Sequence, residues 1–203
     1  LGLEIEERTT PWAGACGVFH PMLSEAVVRF QSQTIQEIMP AKGPVKTQCW
    51  GLQTEERMDQ AKRVQDYMNY QLIEVMTEYR AETEKLLFSL PLAGSAFRKI
   101  YYDPSLGRPT SMFVPAEDFV VAYNEADLEQ AERYTHVMNR STNQIRKLQV
   151  SGFYRDVELT TGFIEDNPIT DKFNDIGGVS PSGQSEDRHQ LLEMHVDVDL
   201  PGF

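Results

Sequence analysis

Between residues 54 and 90 the chain carries neither glycine nor proline. Within that stretch Ala61, Val64, Met68, Leu72, Val75, Met76 and Tyr79 recur with helical period, which sets an apolar stripe along one helix face. Thr54 is a good N-cap residue, and Glu55 and Glu56 sit favourably on the positive end of the helix dipole. The sequence therefore predicts one very long helix, or two separated by a bend near Thr77. Leu86, Leu87 and Leu90 would bury its end, and Pro91-Leu92-Ala93-Gly94-Ser95 would terminate it.

The segments before it are shorter. Residues 1–19 read as an irregular arm. Pro21 suits the first turn of a helix, and Leu23, Ala26, Val27, Phe30 and Ile38 place an apolar stripe over 21–39. Pro40 stops that helix, and Ala41-Lys42-Gly43-Pro44 opens a connector over 40–53.

After residue 95 the period changes from helical to alternating. Phe97, Lys99 and Tyr101 alternate with Arg98, Ile100 and Tyr102. Asp103-Pro104-Ser105-Leu106-Gly107-Arg108-Pro109 is turn chemistry, and 110–114 reads as the returning strand of a hairpin. Short strands are expected at 119–122 and 134–138. Ser141 or Thr142 would cap a helix reaching Val150, with Gly152 at its C-terminal end. Residues 165–188 hold few apolar residues and two glycine-rich clusters, and read as a mobile acidic loop. In the last strand, within 189–203, Leu192, Met194, Val196, Val198 and Leu200 would form the buried face.

Long helices over 20–95, a hairpin, strands and short helix over 96–164, and a final strand do not alternate regularly. The expected class is α+β, long N-terminal helices followed by a mostly antiparallel sheet. The chain opens on Leu1, not Met, and closes on Pro201-Gly202-Phe203 with no cap, so it reads as a piece of a longer polypeptide.

Charge and composition exclude some functions. The net charge is −12, and 156–203 alone holds eleven acidic and two basic residues, leaving −3 for the first 155. Broad nucleic-acid binding through a basic patch is disfavoured. No window approaches the run of about 18 to 20 apolar residues that a membrane span requires. Two cysteines, Cys16 and Cys49, are too few for a disulfide framework and suit a reducing compartment. Cys16 and His20 have ligand-like spacing but lack a second pair.

No phosphate-cradling glycine loop, dinucleotide fingerprint, zinc-protease helix or serine elbow occurs. Asp171 to Gly177 lacks the spacing and closing Glu of a calcium loop. One constellation carries chemistry. Glu193, His195, Asp197 and Asp199 recur at every second position of the last strand, about 6 to 7 Å apart, where two or three could hold a divalent cation for a nuclease or phosphoesterase. The plainer reading is the wet face of a half-buried strand, and it leaves catalytic, cofactor and metal residues at none. Glu74/Glu78 and Glu78/Glu82 read as a wet helix face, His20 and His136 as structural histidines, and Tyr67, Met68, Met76 and Tyr79 as core. Trp12 and Trp50 suit either an interface or the core.

Several stretches, taken in order, resemble the portal proteins of tailed double-stranded-DNA phages, in the short-tailed branch. They are Phe19-His20-Pro21 running into Glu25-Ala26-Val27-Val28-Arg29-Phe30-Gln31; Pro40-Ala41-Lys42-Gly43-Pro44-Val45; Asp66-Tyr67-Met68-Asn69-Tyr70-Gln71-Leu72; Leu90-Pro91-Leu92-Ala93-Gly94-Ser95-Ala96-Phe97; Tyr101-Tyr102-Asp103-Pro104; Phe113-Val114-Pro115-Ala116-Glu117-Asp118-Phe119; Tyr134-Thr135-His136-Val137-Met138; and Leu191-Leu192-Glu193-Met194-His195. The similarity runs from about residue 12 to 200.

The resemblance implies a homo-oligomeric ring, usually a dodecamer, at one capsid vertex of the virion, assembled in the host cytoplasm. It implies as partners the major capsid protein, the terminase large subunit and then tail or adaptor proteins, with double-stranded DNA passing through the channel and no membrane. It implies no cofactor and no enzyme activity, since the motor is a separate ATPase. Portal proteins run to several hundred residues, so this chain resembles their N-terminal part, mainly outer wing. Segments for the clip, much of the stem and the inner channel loop are not evident. A helical scaffold or adaptor protein is the third reading.

Overall fold

The computed structural model describes residues 12–15, 20–159 and 188–199. Among the described residues, four α-helices and five strands make an α+β arrangement. The helices are α1 (Met22–Ile38), α2 (Glu55–Tyr70), α3 (Tyr79–Ala93) and α4 (Thr142–Val150). The strands are β1 (Phe97–Asp103), β2 (Arg108–Val114), β3 (Phe119–Val121), β4 (Arg133–Ser141) and β5 (Arg188–Val196). The chain divides into two units, one formed by Leu23–His136 with Val196–Phe203, the other by Leu1–Met22 with Val137–His195.

In the first unit the long helical stretch is two helices. A five-residue π-helix, Gln71–Val75, follows α2, and Met76 (φ −91°, ψ 71°) breaks the run before α3. Thr54 holds the N-cap position with extended backbone, but its side chain makes no cap bond. Pro91 does not end α3. It lies inside the last turn, and Gly94 (φ 74°) stops the helix by donating its N–H to the Leu90 carbonyl at 2.9 Å.

The connector after α1 lies along α2. The Asn69 side chain accepts from Val45 N–H (2.9 Å) and donates to the Val45 carbonyl (3.2 Å). One turn earlier Gln65 accepts from Thr47 N–H (3.2 Å), and Thr47 Oγ1 donates to the Ala61 carbonyl (2.9 Å). Ala61, Gln65 and Asn69 are therefore the covered face of α2, while Met58, Val64, Tyr67 and Met68 are exposed. This corrects the expectation that Tyr67 and Met68 are core; of the four residues so read, Met76 is buried and Tyr79 half-buried. The reason is that an extended backbone needs hydrogen-bond partners more than apolar ones, and the amide row supplies them. Likewise α1 buries Val27 and leaves Leu23, Ala26 and Phe30 exposed. Its Gln31 Nε2 donates to the Glu84 carbonyl of α3 at 3.0 Å.

Strands β1 and β2 form an antiparallel hairpin in register from Phe97↔Val114 to Asp103↔Arg108. Asp103 Oδ1 accepts from Ser105 N–H (2.8 Å), and Gly107 (φ 64°) closes the turn. Strand β3 pairs antiparallel with the start of β4, Phe119 opposite His136. Phe97, Phe119 and Tyr134 stack, with ring centroids 4.3 and 5.8 Å apart. In this unit Val27, Met76, Leu87 and Val114 are the buried apolar side chains among the described residues.

In the second unit β5 lies beside β4. Ser141 caps α4 through a full capping box: its Oγ accepts from Gln144 N–H at 3.3 Å, and Gln144 Oε1 accepts from Ser141 N–H at 3.2 Å. Ile145 is the buried apolar residue of α4.

Candidate functional site

Strand β5 presents the face opposite to the one its pattern predicts. His189, Leu191 and Glu193 are half-buried, while Leu192, Met194 and Val196 are exposed, Leu192 to 65% and Met194 to 55%. Strand side chains alternate, so covering one row exposes the other. The covered row meets the start of α4, where Thr142 Oγ1 lies 2.9 Å from His189 Nε2. The covered row carries this polar contact and Leu191, and the apolar row Leu192–Met194–Val196 is left outward. Val198 beyond the strand is also exposed, and Leu200 lies outside the described residues.

The four candidate metal ligands are distributed accordingly. Glu193 Oε1 and His195 Nε2 are 3.2 Å apart, a partly exposed contact that is an ion pair when the imidazole is protonated. Asp197 and Asp199 follow the end of β5, and the Asp197 N–H donates to the Glu132 carbonyl at 3.0 Å. Among the described residues no group of three or more His, Cys, Asp or Glu side chains is arranged to hold a metal ion. Cys16 and the 171–177 segment lie outside the described residues, as does 165–187 of the predicted acidic loop. Arg188 already belongs to β5. Cys49 is a free, half-buried thiol, and His20, Trp12 and Trp50 are exposed. His136 is buried in β4.

Of the helical carboxylates read as a wet face, Glu74 is exposed, whereas Glu78 and Glu82 are half-buried. Glu78 Oε1 accepts from Arg108 Nη1 (2.8 Å) and Ser111 N–H (3.4 Å), and Glu82 Oε2 accepts from Phe113 N–H (2.6 Å). Ser111 and Phe113 point their N–H groups away from β1, so the two carboxylates close the outer edge of β2. Pro109 stands in the same outward row, where its missing N–H costs no ladder bond. The Arg108 guanidinium hydrogen-bonded to Glu78 holds its carboxyl below the ordinary value, and the same bond raises Arg108. Beside this clamp Arg98 Nη2 donates to Thr83 Oγ1 (2.6 Å) and stacks over the Tyr79 ring at 4.8 Å. Sequence reasoning missed this cluster, although a proline inside a strand already signals an open edge.

Among the described residues the geometry offers exposed apolar surfaces: a row on β5 and flanks on α1 and α2. No helix among the described residues is long and apolar enough to cross a membrane. The chain matches no protein-family model and no curated protein sequence.

Proposed function

We propose that this chain is part of a portal protein, one subunit of the ring at a single vertex of a tailed phage head through which double-stranded DNA is packaged and ejected. The observation that carries the reading is the order of its portal-like stretches along the chain. Contacts within the first unit support it, because separate stretches of that series touch. Asn69, in the third stretch, holds the backbone of Val45, at the end of the second. Phe97, Phe119 and Tyr134, from three further stretches, stack on one another.

The exposed apolar rows support it as well. A subunit of a closed ring meets its neighbours through heterologous surfaces, and each copy must present both halves of the contact. Leu192, Met194 and Val196 on β5, and Leu23 and Phe30 on α1, are surfaces of the kind that such contacts cover. In this reading the DNA-translocating motor, the capsid and the tail are partners of the assembled ring, and hydrolysis of ATP belongs to the motor.

The test is the particle mass of the intact full-length protein, by native mass spectrometry or by counting subunits in electron-microscope top views. A closed ring of about twelve copies with a central hole is the expected result. A folded monomer or dimer at high concentration overturns it. Stoichiometric divalent-metal binding that is lost on Asp197→Ala would instead favour the metal-dependent nuclease.

A further inference from the structure

The break between α2 and α3 is not written in the local sequence. Gln71-Leu72-Ile73-Glu74-Val75-Met76-Thr77-Glu78 contains no glycine, proline or capping pair. Val64, Met68, Leu72, Val75 and Tyr79 keep helical spacing straight through it. On a continuous helix these residues would share one face. In the structure the π-helix inserts a wider turn, closed by Met76 N–H donating to the Gln71 carbonyl at 2.8 Å. Met76 then leaves helical geometry, and Tyr79 N–H donates to the Met76 carbonyl at 2.9 Å as α3 begins.

Tertiary contacts hold that geometry. Met76 is 4% exposed, one of the few buried apolar side chains among the described residues. Glu78, the last residue of the break, is anchored by Arg108 Nη1 at 2.8 Å and by Ser111 N–H at 3.4 Å. Both anchors lie on β2, some thirty residues away in sequence. Extending α2 through residues 76–78 would turn Met76 out of the core and carry the Glu78 carboxylate off the strand edge.

We propose that residues 71–78 are a two-state hinge, closed here by the Glu78–Arg108 pair and the burial of Met76, whose open state is one uninterrupted helix from α2 into α3. Local propensity and apolar spacing favour the open state, and the hairpin edge favours the closed one. A helix break held from outside by named tertiary contacts is the kind of element that two states can share. The hinge concerns the first unit alone and stands whether or not the chain assembles into a ring.

Amide hydrogen exchange on the full chain tests this. In a continuous helix the Thr77 and Glu78 amides donate to the carbonyls of Ile73 and Glu74. Arg108→Ala is expected to slow exchange at Thr77 and Glu78 about tenfold or more, with the β1–β2 ladder amides still protected. Arg108→Lys, which keeps the charge, is expected to leave the wild-type rates. Unchanged or faster exchange at Thr77 and Glu78 in Arg108→Ala, with the ladder intact, overturns the hinge. Should Arg108→Ala lose the ladder, Thr77→Ala decides, because it raises helix propensity at the break and leaves both latch residues in place. Slower exchange at Glu78 in Thr77→Ala then upholds the hinge, and an unchanged or faster rate overturns it.

Discussion

Asn69 is a buried side chain that serves as backbone. Its amide oxygen accepts from the Val45 N–H and its amide nitrogen donates to the Val45 carbonyl, as a paired backbone would. Gly43 makes the approach possible. Its φ of +97° is a conformation that L side chains rarely adopt, and a Cβ there would meet the Asn69 amide, 2.5 Å from Oδ1. Gly43→Ala is therefore expected to destabilise the fold by about 2 kcal/mol or more, read as a lower urea midpoint. Asn69→Leu is expected to cost about 2 to 3 kcal/mol, because it strands a buried N–H and C=O together. Glu78 sets a pH dependence. Its carboxyl is held below its ordinary 4.5 by the hydrogen bond from Arg108. The folded state then binds fewer protons than the unfolded state, so this stabilisation is complete above the ordinary value and is lost as pH falls through the lowered one. The charged groups facing Glu78 are Arg108 from β2, with Asp103 acting on Arg108 across the turn. Thermal unfolding followed from pH 6 downward is expected to show a smaller acid loss in Arg108→Ala than in wild type.

At the scale of elements the two N-caps make a controlled pair. Ser141 completes a capping box on α4, whereas Thr54 occupies the cap of α2 with its hydroxyl making no cap bond. Ser141→Ala is expected to cost about 1 kcal/mol and Thr54→Ala less than about 0.5 kcal/mol, both by denaturant unfolding. Equal losses would mean that residue type rather than the bond sets the effect. The β1–β2 hairpin shows how an open edge is closed without a third strand. Two carboxylates of α3 take the N–H groups of Ser111 and Phe113, and Pro109 supplies none. That arrangement leaves β2 a poor template for pairing with another chain.

At the scale of the whole molecule the apolar inventory is the telling quantity. Among the described residues five apolar side chains are buried, and many large ones are exposed. The outward row on β5 and the flanks of α1 and α2 are where a partner would recover hydrophobic free energy. Leu192→Lys combined with Met194→Lys removes that row without touching a buried contact. The double variant is expected to keep the unfolding midpoint within about 0.5 kcal/mol of wild type. In the proposed ring it is expected to weaken self-assembly of the full-length protein about tenfold or more by sedimentation. Unchanged assembly would remove β5 from the interface.

What the sequence determined by itself was local. The helix over 22–38, the Asp103 turn, the hairpin and the Ser141 cap all follow from short-range periodicity, turn chemistry and capping. Only the tertiary structure decided which faces are covered. A period of two or 3.6 fixes how side chains alternate and is silent on which row meets a neighbour. On β5 the row that carries a histidine–threonine contact is covered and the apolar row is not, and on α2 an extended backbone needing hydrogen bonds takes the amide face. Glu78 and Glu82 looked like solvated charges because their partners lie about thirty residues downstream, on a strand edge that exists only once the chain has folded.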